Sequence, residues 1–122
     1  MLPRVALAAL LLTSGPALAE GDELSPVPAP VLIGHTYNGD HAPSQIRFIN
    51  VRTRPVSVVW IGFDGVERLY ASLNPGDEIV QPTYVAHRWL IRDKGDGQPL
   101  EAFISTRSAQ RDRGTAQIAL IR

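Results

Sequence analysis

Turn chemistry recurs along this chain, and no stretch between the interruptions keeps a helical period for long. Asp64-Gly65, Asn74-Pro75-Gly76 and Asp93-Lys94-Gly95-Asp96-Gly97 are turn signals, because their Asn, Asp and Gly residues accept the positive φ of tight turns. The segments they separate are short, apolar or alternating, and rich in β-branched and aromatic side chains, which is the pattern of strands. Strands are predicted near Val31–Ile33, Ser44–Asn50, Pro55–Ile61, Glu67–Ser72, Asp77–Val80, Arg88–Arg92, Leu100–Thr106 and Ala116–Ile121. Within the second, Ile46 and Phe48 share one face and Gln45 and Arg47 the other, because side chains alternate along a strand. Ile118 to Ile121 is an unbroken apolar run, which fits a strand buried on both faces or a buried helical turn equally well. The fold class expected is all-β, a single-domain immunoglobulin-like β-sandwich of about seven to eight short strands.

The first residues bear on compartment. Met1 to Arg4 is a short positive region, Val5 to Leu12 is apolar, and Ala17-Leu18-Ala19 offers the small residues that a signal peptidase reads. Residues 1–19 are therefore expected to be a signal peptide cleaved after Ala19, with periplasmic or secreted localisation. The apolar run is shorter than the roughly 20 residues that cross a bilayer, so no membrane insertion is expected after cleavage. Residues 20–30, with Pro26, Pro28 and Pro30, read as a proline-rich linker, and residues 31–122 as the domain.

Removing residues 1–19 of 122 leaves 103, enough for one core. Arg4 leaves with them, so the remainder has 11 basic against 12 acidic residues, and neither nucleic acid nor an anionic surface is an expected partner. The chain has no cysteine, which removes disulfide staples, thiol catalysis and thiolate metal sites together. The mixed-charge stretch from Arg107 to Gly114 reads as a solvated loop.

No catalytic signature is found. His35, His41 and His87 are too scattered for a zinc site, no serine sits in a nucleophile elbow, and Asp64, Asp77, Glu78, Asp93 and Asp96 lie where turns want them. The chain is expected to be no enzyme, without metal or cofactor. What stands out is aromatic placement. Both tryptophans and two of three tyrosines fall between Trp60 and Trp89, together with His87. Tryptophans in strands commonly belong to the core. On a strand, however, His87 and Trp89 would face one side and set an apolar ring beside a polar tip.

At these residues the chain resembles a known family. WIGFDGVERLYASLNPGDEIVQPTYVAHRWLIRD, Trp60 to Asp93, is similar without a gap to the central part of the β domain of the von Hippel-Lindau tumour suppressor family, and PSQIRFIN, Pro43 to Asn50, extends the match. The W-x-x-F-D-G element, the Pro75-Gly76 turn and the Y-x-x-H-x-W-L-x-R-D element are specific in combination. The resemblance implies a β-sandwich that recognises hydroxylated proline in an extended peptide. It implies a pocket of Trp60, Tyr70, Thr83, Tyr84, His87 and Trp89, with Trp60 and Trp89 as walls and the Thr83 hydroxyl and His87 ring nitrogen meeting the ligand hydroxyl. Thr83 stands where the family has serine, and Ala71, Gln81 and Pro82 also depart from it. The partner expected is thus a peptide or protein carrying hydroxyproline or proline. Nothing here matches the family's helical ligase-adaptor part, so ubiquitin-ligase partners are not expected. Two other readings remain open from the residues: a structural or protein-interaction sandwich without hydroxyproline recognition, and a carbohydrate-binding module.

Overall fold

A computed structural model describes residues 23–29, 36, 42–106 and 116–122. The expected signal peptide, the strand expected at Val31–Ile33 and the loop from Arg107 to Gly114 lie outside them. Seven strands are present among the described residues: β1 Pro43–Asn50, β2 Val56–Ile61, β3 Glu67–Leu73, β4 Glu78–Tyr84, β5 Arg88–Asp93, β6 Pro99–Ile104 and β7 Gln117–Ile121. They form a three-stranded sheet in the order β4-β1-β7 and a four-stranded sheet in the order β3-β2-β5-β6. All neighbours are antiparallel except β1 and β7, which run parallel.

Strand β1 is held by the face it buries. On β1, Ser44, Ile46, Phe48 and Asn50 are buried while the residues between them are less so, which is the alternation expected for a sheet with one covered face. Phe48 reaches across the sandwich to Trp89 of β5 and Phe103 of β6, with ring centroids 5.6 and 6.2 Å away in tilted and edge-on geometry. Val56, Val58, Leu73, Ile91, Ala119 and Ile121 complete a core drawn from both sheets. The apolar run at the chain end is strand β7, buried at four of its five positions.

Two turns show how local chemistry sets direction. In Asn74-Pro75-Gly76-Asp77 the Asp77 N–H donates to the Asn74 carbonyl at 2.9 Å, and Gly76 sits at φ 88° behind a proline, the arrangement of a type II turn. The turn from Tyr84 to His87 has the same third-residue geometry, with the His87 N–H on the Tyr84 carbonyl at 3.2 Å. There the left-handed position, φ 73°, is taken by Ala86. A side chain at that φ costs about 1–2 kcal/mol, so surrounding contacts must hold it. Ser105 does so: its carbonyl accepts the Ala86 N–H at 2.8 Å, and its hydroxyl donates to the Tyr84 carbonyl and accepts the His87 N–H.

The stretch read as a proline-rich linker is integral to the fold from Glu23 to Ala29. Leu24 is buried in the core, and its N–H donates to Ile118 of β7 at 2.7 Å. Val27 exchanges both main-chain bonds with Ala102 of β6 at 2.9 and 3.0 Å. Proline fits on either side of Val27 because neighbouring positions of an edge segment point their missing N–H away from the ladder. Val27 and Ala29 also cover Val59, Ile61, Leu90 and Ala102, a second apolar cluster on the outer face of the four-stranded sheet.

Candidate functional site

The residues from Trp60 to Trp89 meet at one end of the sandwich. Trp60 of β2 and Trp89 of β5 are directly paired across adjacent strands. Opposite them, β3 carries a bulge: Val58 pairs with Ala71 and Val59 with Leu69, which leaves Tyr70 as the extra residue. A bulge bends its strand and re-aims the side chain it carries. Here Tyr70 stands edge-on to both indoles, 6.3 Å from Trp60 and 5.1 Å from Trp89 between centroids, and remains 49% exposed.

His87 belongs to the turn before β5 and not to a strand, so its place beside Trp60 does not come from strand alternation. The Trp60 Nε1–H donates to His87 Nδ1 at 3.1 Å, and the two rings lie nearly parallel, 5.5 Å apart. With Nδ1 accepting, a neutral imidazole carries its proton on Nε2 and presents a donor there. Tyr84, exposed, packs its ring 5.4 Å from His87.

Thr83 and Trp89 form a second indole-ordered pair. The Trp89 Nε1–H donates to Thr83 Oγ1 at 3.1 Å, and both residues are buried. Trp89 is only 2% exposed, enclosed by Phe48 and Tyr70. It is therefore the floor of the cluster and not the open wall expected, because its ring also serves the core. Trp60, partly buried, is the more accessible of the two indoles.

All six expected site residues thus form one connected cluster, and two residues that sequence reasoning passed over join it. Phe63, 48% exposed, lies edge-on to Trp60 and to His87 at 5.6 and 5.4 Å. Arg68 places its guanidinium 5.6 Å from the Trp60 ring centroid while pairing with Asp64 at 3.0 Å. The signal for Phe63 was in the W-x-x-F-D-G element, read for its turn and its resemblance but not for its ring. Arg68 holds the Asp64 carboxyl down to about 2, chiefly through their hydrogen bond, with the Val66 N–H adding to it. Gly62 leaves the room Arg68 uses: a Cβ there would meet Arg68 Nη1 at 2.2 Å.

The cluster offers a half-open aromatic surface with two polar groups, the Thr83 hydroxyl and the His87 ring, each fixed by an indole N–H. Such a surface suits a small apolar ring that carries a hydroxyl. The strands that build it lie inside residues 36–106, which match the VHL beta domain family model. That match spans more than half of the 122 residues, and the chain belongs to the VHL β-domain family.

Proposed function

We propose that this chain is an exported, non-catalytic recognition module that binds an extended peptide through a proline-type pocket, with 4-hydroxyproline as the preferred residue. The observation that carries the reading is the pair of ordered polar groups, Thr83 Oγ1 under Trp89 and the His87 ring beside Trp60, at the edge of an aromatic cluster. A pyrrolidine ring packs against Tyr70 and Trp60 above the Trp89 floor. Its hydroxyl brings one donor and acceptors, which the Thr83 hydroxyl and His87 Nε2–H complement. The Tyr70 hydroxyl is suited to a peptide carbonyl. The main chain of β4, an edge strand among the described residues, supports an added peptide strand. Export rests on the signal-peptide pattern of residues 1–19.

A second reading, a sandwich that presents this face to a protein partner without hydroxyproline recognition, draws on the near-complete burial of Trp89. The two are separated by titrating the protein with matched extended peptides containing proline or 4-hydroxyproline, followed by tryptophan fluorescence. Leaving the Thr83 and His87 groups unmatched costs about 1–3 kcal/mol, so the hydroxylated peptide should bind roughly ten- to hundredfold more tightly. His87→Ala and Tyr70→Phe should weaken binding with the fold intact. Absence of binding to either peptide overturns the proposal.

A further inference from the structure

Strand β4 has two different faces at the end where the aromatic cluster lies. Thr83 turns inward to Trp89, whereas Val80, Pro82 and Tyr84 alternate with it and are exposed, the Tyr84 ring also lying 5.4 Å from His87 at the end of the strand. There Pro82 stands opposite Gln45 of β1, and Tyr84 opposite Pro43. These four residues, with Ser44 and Thr83 at the base, line a recess of about 230 Å³. The base side chains are turned away from it: the Ser44 hydroxyl donates to the Thr106 carbonyl at 3.0 Å, and Thr83 Oγ1 accepts from Trp89.

The main chain of β4 shows how this recess relates to the aromatic cluster. The Val85 N–H donates to Ala42 and the Asn50 N–H to Asp77, at 3.0 and 2.9 Å. Antiparallel ladders alternate, so odd-numbered positions of β4 bond inward to β1 and even-numbered ones point their main-chain groups to the open edge. Pro82 is even-numbered, so its missing N–H removes nothing from the sheet, and its carbonyl points to the edge, where it accepts from the Gln81 amide Nε2 at 3.0 Å and keeps a second lone pair. A peptide strand added to that edge alternates its own side chains between the two faces of the sheet. A residue that enters the aromatic cluster on the inner side therefore sends its immediate neighbours outward, to the side of the recess.

We infer that the recess formed by Pro43, Gln45, Pro82 and Tyr84 is a second subsite, which takes one neutral, ring-bearing side chain adjacent in sequence to the proline-type residue of the same peptide. The inference rests on the peptide-binding reading and names a further element of its specificity. Size fixes the occupant: the volume lies below the roughly 300–1,000 Å³ of small-molecule pockets, which leaves room for a single side chain. Chemistry fixes its class. Among the described residues the lining holds two pyrrolidine rings and a phenol but no charged side chain, and the Gln45 amide can both donate to and accept from the ligand.

The test compares hydroxyproline peptides that carry alanine at both flanking positions with peptides that carry phenylalanine at one or the other, titrated into the protein and into Gln45→Trp, which fills the recess. Phenylalanine at one flank should tighten binding roughly two- to tenfold, the range for an added aromatic pair. Gln45→Trp should abolish that gain while leaving the alanine-flanked peptide unchanged. Pro43→Ala, which removes one wall without adding bulk, should reduce the gain and serves if Gln45→Trp does not fold. Binding of all peptides with no gain from phenylalanine, or with a gain that survives both variants, overturns the second subsite and leaves the first reading standing. Failure of every peptide to bind the unaltered protein overturns both.

Discussion

Thr83→Val isolates the polar contact on which the site depends. The substitution keeps side-chain shape and removes the oxygen that accepts the Trp89 indole N–H at 3.1 Å. Thr83 and Trp89 are 6% and 2% exposed, so the indole N–H that loses its acceptor is itself buried. A buried donor left without a partner costs about 1–3 kcal/mol, and each kcal/mol shifts the melting temperature of a domain this size by about 4–8 °C. The measurement is urea and thermal unfolding followed by circular dichroism for the parent, Thr83→Val, Trp89→Phe and the double variant. Trp89→Phe removes the donor and some packing, so in the double variant the hydroxyl's absence should add little. A coupling energy of about 1 kcal/mol or more is expected between the two positions. If Thr83→Val changes stability by less than about 0.5 kcal/mol and shows no coupling to Trp89, the hydroxyl does not hold the indole, and the ordered pair at the base of the site is not formed.

Leu24→Ala should destabilise the fold by about 2–5 kcal/mol, as for other buried leucines, whereas a residue in a free linker would change stability by no more than about 0.5 kcal/mol; urea midpoints decide. Ala86→Gly should raise stability by about 0.5–1 kcal/mol, since it relieves the left-handed φ of 73° at the entropic cost of a glycine, and an unchanged melting temperature would refute strain in that turn. Arg68 lowers the Asp64 carboxyl to about 2 from its usual value near 4, so their pairing adds stability above pH 4 that is lost as pH falls toward 2. The stability difference between the parent and Arg68→Gln should accordingly shrink between pH 5 and pH 2; comparing the two proteins cancels the contribution of opposite sign from Glu101, whose carboxyl is raised by burial.

Much of the sandwich was legible because its strands bury one face and end at strong turn residues. Ser44–Asn50 and Arg88–Arg92 each fall within one residue of the strand found, and β7 settles the ambiguous apolar run as a strand. β4 runs on past Val80 to Tyr84 because Pro82 occupies an edge position where no inward N–H is needed, a distinction that depends on which neighbour lies on which side. The stretch from Glu23 to Ala29 was misread for a related reason. Its prolines look like those of a linker until the edges of β6 and β7 are there to receive Leu24 and Val27.

The site divides along the same line. Residue type and resemblance picked out Trp60, Tyr70, Thr83, Tyr84, His87 and Trp89, since aromatic rings beside a hydroxyl and an imidazole are visible in the sequence itself. The sequence also determined the all-β class, because frequent turns and period-two alternation leave few alternatives. Tertiary structure decided what each ring does. Trp89 is a floor because Phe48 of the opposite sheet covers it, Tyr70 faces the indoles because a bulge turns it there, Phe63 joins because the β2–β3 connection sets it edge-on to Trp60, and Arg68 joins because the β3 register pairs it with Trp60. Burial and orientation are properties of neighbours brought together from distant parts of the chain, and a pattern read along one strand does not contain them.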